Sequence, residues 1–414
     1  MHMSRESTQL SPKVAENPPQ PVASGSTART VVETIPEHFG ALPQLRRLEA
    51  RFSASPKTVV VILPNGQRLH CGNGPIVAEI NVRNSRAMWA LGSLNEGNIA
   101  RAYIDGDLDM TGDFLQLLEL RSFLSDRHYL SWAWRFLEPI LFGQVKTNAR
   151  AISVHYDLDP EFYLSFLDET RCYTQGIFLS DDEPLHVAIR RKFDYCIETC
   201  RLGPGSHILE VGPGWGAFSE YAAKRGIRIT AVTNSRRSQE FVSGLGRRLG
   251  CEWQVNVDDF LTYKPTERFD AIVLMGIMEH LPQYDPVLRQ FLHMLKPGGF
   301  VYLDASAARD KYKASSFVYR DIYPGNHSFF VLHDFLRAVS RTSLQLRSIF
   351  DDRHSYFLTF KHWARKFESQ RKKVVADFGE SNYRRFNLYL WGSAQSFLTD
   401  RLQCYRVILE HPKR

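Results

Sequence analysis

Residues 208–216 read Ile-Leu-Glu-Val-Gly-Pro-Gly-Trp-Gly, and this stretch limits the chain more than any other. A short apolar run, Ile208 to Val211, breaks into Gly212, Gly214 and Gly216, and a helix-like segment with Ala217, Phe218, Tyr221 and Ala222 follows. Strand, tight turn and helix in that order form a nucleotide-binding unit, because glycine lets a ligand approach the main chain and the helix N-terminus offers free N–H groups. A dinucleotide loop wants G-x-G-x-x-G and an acid near the end of the next strand; here the spacing is G-x-G-x-G and Ile227–Val232 ends in Thr233-Asn234-Ser235. A phosphate loop wants Gly-Lys-Ser/Thr, which is absent. S-adenosyl-L-methionine is the third reading, with Glu210 placed to hold the ligand's ammonium group. An ordinary glycine turn in an α/β domain is the bland alternative.

Two further apolar stretches, Phe269–Met275 and Leu295–Leu303, alternate with helical segments, and the second opens on Lys296-Pro297-Gly298-Gly299. Strand–helix alternation predicts a doubly wound α/β sheet with ligands at the carboxyl ends of its strands. The Lys-Pro-Gly-Gly turn is frequent in class I (Rossmann-like) methyltransferases and tips the reading to that fold.

The 414 residues exceed one ordinary core. A disordered tail is expected over 1–35, rich in Pro and Ser. A small N-terminal α/β module is expected over 36–125, with strands at Val59–Leu63 and Ile76–Val82, a turn at Pro64–Gln67 and a helix after Asn84. The acids between Asp105 and Asp109 read as a solvated turn, since the later ligands of a calcium loop are missing. An aromatic linker helix is expected over 126–150, and the methyltransferase domain over 151–414. No apolar run is long enough to span a membrane. The six cysteines lack metal-binding spacing, so no metal site and a reducing, cytoplasmic setting are expected. The net charge of +7 suits anionic partners. Lys361, Arg365, Lys366, Arg371, Lys372, Lys373, Arg384 and Arg385, interleaved with Trp363 and Phe367, read either as a solvated face or as a contact with an anionic membrane.

Beside these readings, the chain resembles the cyclopropane-fatty-acid synthase family, which includes the mycolic acid cyclopropane synthases. The family's lid motif Tyr-Ser-Cys-Ala-Tyr-Phe stands here as Tyr173–Phe178, its Gly-x-Gly-Trp-Gly loop as Gly212–Gly216 and its Phe-Glu-His as Met278-Glu279-His280. Its Phe-Pro-Gly-Gly stands as Tyr323-Pro324-Gly325-Asn326, and Tyr356, Thr359 and Trp363 fall on its late Tyr-x-x-Thr-Leu-x-x-Trp. The resemblance implies transfer of a methyl group from S-adenosyl-L-methionine to the double bond of a lipid acyl chain. It implies that Tyr173 and Thr174 close over the cofactor, Gly212 and Gly214 approach its methionine part, and Thr233 with Asn234 sits near the ribose. Val257 and Asp258 then flank the adenine, Met275 and His280 line the same pocket, and Gln175, Tyr323 and Pro324 belong to the lid and substrate side.

In the resembled family Glu279 and Tyr356 match residues that hold a bicarbonate ion, the family's base. Two departures bear on it: the lid cysteine is Gln175, and the bicarbonate-binding histidine is Asp304. Asp304 predicts repulsion of bicarbonate. It also predicts two pocket-facing carboxylates, Glu279 and Asp304, that steady a cation and take its proton. Expected partners are an acyl lipid at an anionic membrane surface and no nucleic acid, with a homodimer and peripheral attachment to the inner membrane face left open. A methyltransferase for a small natural product and a non-catalytic cofactor-binding subunit are the competing readings.

Overall fold

The computed structural model describes residues 42–126, 159–251, 253–312, 315–323 and 328–413. The expected tail (1–35), nearly all of the linker helix (126–150) and Pro324 lie outside them. Two sheets organise the described chain. The first has the order β2-β1-β3-β4, with β1 Thr58–Ile62, β2 Arg68–Cys71, β3 Ile76–Val82 and β4 Leu108–Gly112. β1, Thr-Val-Val-Val-Ile, is central and almost wholly buried, which fits a β-branched run. β2 returns antiparallel to it across the Pro64–Gln67 turn. Asn84 accepts from the Ala87 N–H at 3.1 Å and so starts the Ser85–Gly92 helix, as its side chain suits.

The stretch Asp105–Asp109 is not the solvated turn its composition suggests. Leu108 and Asp109 enter β4, and Asp107 is buried, taking hydrogen bonds from Asn84 (2.7 Å) and Arg86 (2.8 Å). Arg384, on the Glu380–Leu398 helix, reaches across to the Tyr103 and Leu108 carbonyls, both at 3.0 Å, and to Asp109 at 2.5 Å. Its guanidinium therefore staples that helix to the first sheet and is unavailable to a membrane. Trp363 and Phe367 are likewise fully buried. The basic stretch keeps exposed charges at Arg365, Lys372 and Lys373 but presents neither aromatic ring to solvent.

The second sheet has seven strands in the order β10-β11-β9-β8-β5-β6-β7. They are β5 His207–Val211, β6 Arg228–Thr233, β7 Gln254–Val257, β8 Phe269–Met275, β9 Leu295–Ala307, β10 Gln345–Asp351 and β11 Gln403–Glu410. β5 through β9 run parallel, and β11 inserts antiparallel between β9 and β10. This is the class I methyltransferase arrangement, α/β and doubly wound. β5 is buried at every position because helices cover both faces. The chain turns outward to β6 on one side and to β8 on the other, so the end of β5 is the topological switch point, and the glycine loop sits there. Among the described residues no helix is long and apolar enough to cross a membrane.

Candidate active site

Two adjoining cavities open at the carboxyl ends of β5, β6 and β8. The larger, about 130 Å³, is walled by the lid residues Arg171–Thr174, by Glu210, Gly212 and Gly214, and by Met275, Glu279, His280, Ser306, Tyr323 and Tyr356. The smaller, about 70 Å³, is walled by Thr233, Asn234, Ser235, Asp258, Asp259 and Phe260. Gly212, Gly214, Ile277 and His280 line both, so they form one cleft with an inner and an outer end.

The loop geometry explains the glycines. Gly212 has φ +70°, and a Cβ there would sit 2.2 Å from Ile277 Cδ1. Gly214 has φ +53°, yet no described atom lies within 4 Å of where its Cβ would be. With this left-handed backbone and open space on the cleft wall, nothing at Gly214 obstructs a ligand's close approach to the main chain. Gly216 is different. It begins the Ala217–Ala223 helix, and a Cβ would press on Leu245 and Val242 at 3.0 and 3.5 Å; it serves packing, not the cleft. We expect Gly214→Val to abolish binding of S-adenosylhomocysteine in calorimetry while thermal unfolding stays cooperative. Unchanged affinity in a folded variant would remove the cofactor from this loop.

Glu210 is fully enclosed, and burial raises its carboxyl pKa to about 7, with one hydrogen bond from Ser219 Oγ opposing. A desolvated carboxylate with so little compensation gains from a cationic ligand group, which is what an amino-acid ammonium supplies. Thr233, Asn234 and Asp258 wall the outer cavity as expected. Val257 does not: it is 47% exposed and lines neither cavity, because strand alternation turns it away from Asp258. His280 is pushed down to about 4 by burial and stays a neutral imidazole at physiological pH.

The lid is tied down from behind. The Gly176 N–H donates to Thr359 Oγ1 at 3.0 Å and the Phe178 N–H to Ser355 Oγ at 3.1 Å, both on the Arg353–Ser369 helix. The Tyr173 ring packs 5.3 Å from Trp363. Gln175 is completely buried behind the lid and lines neither cavity.

At the inner end, Glu279 accepts from the Ser306 N–H at 2.6 Å through Oε1, while Oε2 is buried with no hydrogen-bond partner. Burial, reinforced by the nearby Asp304 charge, lifts its carboxyl to about 7 against the hydrogen bonds it accepts. The Tyr356 ring lies 4.9 Å from Phe360 and 4.6 Å from Phe397, and Tyr323 Oη and Tyr389 Oη are 3.0 Å apart. Glu279 and these aromatic side chains line the same cavity.

Asp304 does not join it. The expectation of two carboxylates facing the pocket fails because Asp304 lies one pleat deeper on β9 than Ser306, under the Leu185–Thr199 helix. There Lys192 Nζ is 3.5 Å from Asp304 Oδ2, both side chains fully buried. The Gly276 N–H donates to Asp304 Oδ1 at 3.1 Å, and Lys192 Nζ donates to Thr174 Oγ1 at 2.5 Å. Burial opposes the charge on both: on Lys192 the carboxylate outweighs it and holds the amine above its ordinary pKa, while on Asp304 burial prevails over the opposing Lys192 charge and lifts the carboxyl above its ordinary value. The pair links the β8 turn to the lid.

These residues do not fit a bicarbonate ion. Its histidine is replaced by a lysine-paired aspartate, and the Ser306 N–H is already taken by Glu279.

Sequence reasoning missed Lys192, Phe360, Phe397 and Tyr389 as site residues. Lys192 carried a signal: with Ile189, Phe193 and Cys196 it lies on one helical stripe, and all four are buried.

The sequence profile of the mycolic acid cyclopropane synthetase family matches residues 143–407, well over half of the 414. The chain belongs to this family. It is an S-adenosyl-L-methionine-dependent methyltransferase of the cyclopropane synthase type, a kind that acts on lipids. A probable fatty acid methyltransferase of Pseudomonas putida is 24% identical over 359 residues, covering 84% of this chain and 90% of that one. A sphingolipid C9-methyltransferase of Candida albicans is 23% identical over 331 residues; the match covers 74% of this chain and only 64% of the fungal protein. Among solved structures, mycolic acid cyclopropane synthase CmaA1 complexed with SAH and CTAB superposes with a TM-score of 0.59 at 22% identity, over 63% of this chain and 98% of that one. The family profile begins only after the first sheet, so β1–β4 belong to what this chain adds to the matched region.

Proposed function

We propose that this member of the family methylates the double bond of an unsaturated acyl chain and that Glu279 is its base. The observation that carries the reading is a third cavity, about 530 Å³, whose walls are mostly aliphatic. Leu48, Val59, Val61, Ile80 and Leu117 of the first-sheet region form one side, and Leu388 of the Glu380–Leu398 helix forms another. Val318, Phe329, Tyr389, Ser393 and Leu402 line both this cavity and the inner end of the cofactor cleft. A long apolar ligand seated there would present its middle to the cleft. A small natural product would leave most of the space unfilled, and pockets of this size hold ligands that bury most of their surface.

When bound, S-adenosyl-L-methionine supplies an electrophilic methyl group on a sulfonium. The residues around it position the alkene, exclude water and meet the charge that develops. Transfer to the alkene would use its π electrons for the new carbon–methyl bond, would break the sulfonium–methyl bond with its electron pair left on sulfur as S-adenosylhomocysteine, and would leave the positive charge on the neighbouring acyl carbon. The faces of Tyr356, Phe360 and Tyr389 attract such a cation. Glu279 Oε2, ionised and without another partner, takes a proton. Loss from the added methyl closes a cyclopropane; loss from an adjacent chain carbon leaves a methylated alkene. The exposed bases Arg365, Lys372 and Lys373 remain as a modest electrostatic contribution to meeting an anionic bilayer.

The test is mass spectrometry of acyl chains from a host that makes unsaturated lipids, with and without the expressed protein. Chains heavier by one CH₂ are expected. Ozonolysis of the products distinguishes a ring from a remaining double bond. An unchanged lipid profile together with methylation of a small soluble metabolite would overturn the acyl reading.

A further inference from the structure

Among the described residues the wall of the large cavity is mostly apolar, and its charged side chains are Glu96, Arg121, Asp126 and Arg401. Arg121 is only partly compensated. It donates to Glu96 Oε1 at 2.6 Å and to Ser396 Oγ at 3.3 Å, while its Nε is buried without a hydrogen-bond partner. No carboxylate among the described residues forms a salt bridge with Arg401. Arg121 and Arg401 lie on the same cavity wall, Arg121 largely buried and Arg401 exposed to solvent; partial burial and the Arg121 charge pull Arg401 below its ordinary pKa, with Glu96 opposing. The remaining acid on the wall, Asp126, is committed to the Ser316 N–H at 3.0 Å and to its hydroxyl.

One glutamate therefore faces two arginines at the edge of an apolar space. The buried, unpartnered Arg121 Nε costs free energy unless an acceptor arrives, and Arg401, exposed on the same wall, offers further donors. Guanidinium forks match the paired oxygens of phosphate and carboxylate groups. We propose that Arg401 and the open Nε edge of Arg121 bind the anionic head of the lipid, a phosphodiester or a carboxylate, whose chain fills this cavity. The proposal rests on the acyl-chain reading for the orientation of that chain. It adds that the substrate is selected by head charge at the far end of the same cavity, so an acyl chain is drawn in by its head and laid across the cleft by its tail.

Equilibrium binding to the full chain tests this, with three lipids that share one cis-unsaturated acyl chain and are dispersed in neutral detergent. They are a phosphatidylglycerol, the free fatty acid and a diacylglycerol. At least one anionic lipid is expected to bind about tenfold more tightly than the diacylglycerol, which is about 1.4 kcal/mol. Tighter binding of phosphatidylglycerol names the phosphodiester as the ligand, and tighter binding of the fatty acid names the carboxylate. Arg401→Gln should remove most of the preference and Arg401→Lys should keep part of it. Arg121→Gln should act in the same direction, with S-adenosylhomocysteine binding retained as the check on folding. Equal affinity for all three lipids, or a preference that survives Arg401→Gln and Arg121→Gln together, would overturn the inference. Methylation is scored separately on the same lipids. Head-selective binding with no methylated product leaves this site standing and removes the acyl-methylation reading, whereas methylation without head selectivity does the reverse.

Discussion

Glu279→Gln is expected to lower kcat by about two to four orders of magnitude, the usual worth of a positioned base, with little change in S-adenosylhomocysteine affinity. Gln keeps the volume and can still accept from the Ser306 N–H, so the loss falls on proton removal. The pH dependence gives a second readout. Burial holds the Glu279 carboxyl at about 7, so the basic form grows as pH rises through that value. kcat should rise with one ionisation near neutrality and then level, and the variant should lack that rise. Stability runs the opposite way. Glu279 and Glu210 each have a folded pKa raised above the ordinary 4.5 to about 7. Their contribution to stability is fully present below the unfolded value and is lost as pH rises through about 7. Urea unfolding from pH 5 to 8 should show this decline, and Glu279→Gln should lessen it. Because the Ser306 N–H is occupied, turnover in carbonate-depleted buffer should equal turnover with added bicarbonate. A large stimulation by bicarbonate, or a variant with near wild-type kcat, would take the base role away from Glu279.

Four strands of the large sheet, β5, β6, β8 and β9, were legible because each is a compact apolar run beside a turn signal, as Val211 runs into glycines and Thr233 into Asn-Ser; β7, β10 and β11, mixed in polarity or late in the chain, were not. The glycine loop was legible because glycine at a ligand contact is a backbone requirement that the local sequence itself must satisfy. β4 was hidden because Leu108 and Asp109 sit in an acid-rich stretch, and the acids make sense only once Arg384, far along the chain, is folded against them. The same limit applies to the site. Neighbour identity at Glu279 suggested a pocket residue, and it lines the cleft. Asp304 was placed in the pocket by its match to the family's histidine and its position at the carboxyl end of a strand, and neither gives depth along the strand. Its partner Lys192 comes from a helix more than a hundred residues earlier. The large cavity was the least legible, since its walls come from the first sheet, the 315–329 region and the Glu380–Leu398 helix together. Each of those residues reads locally as ordinary core.

The buried pair is where the largest stability effect is expected. Lys192→Met leaves Asp304 as a buried carboxylate steadied by the Gly276 N–H, the Tyr302 hydroxyl (3.3 Å) and the more distant Arg406 charge. Asp304→Asn leaves an ammonium facing Thr174 Oγ1 and the Cys172 thiol, 3.6 Å away, with no counter-charge in contact. Breaking a buried pair from one side costs roughly 3–5 kcal/mol, because the survivor keeps its desolvation penalty. Removing both charges does not incur that cost, so Lys192→Met with Asp304→Asn should recover much of the loss. A large coupling in the double-mutant cycle, read by urea unfolding, is the expected result. Function should not recover in parallel. Lys192 also fixes Thr174, and Asp304 fixes the Gly276 turn, so the pair sets the distance between lid and cleft. The double variant should therefore fold nearly as well as the wild type yet bind S-adenosylhomocysteine more weakly, its lid no longer held from beneath. If the two single variants unfold like the wild type, or their effects simply add, the pair is not the energetic clamp described. If the stable double variant binds cofactor as tightly as the wild type, the clamp is structural and the lid is positioned by the Thr359 and Ser355 hydrogen bonds alone.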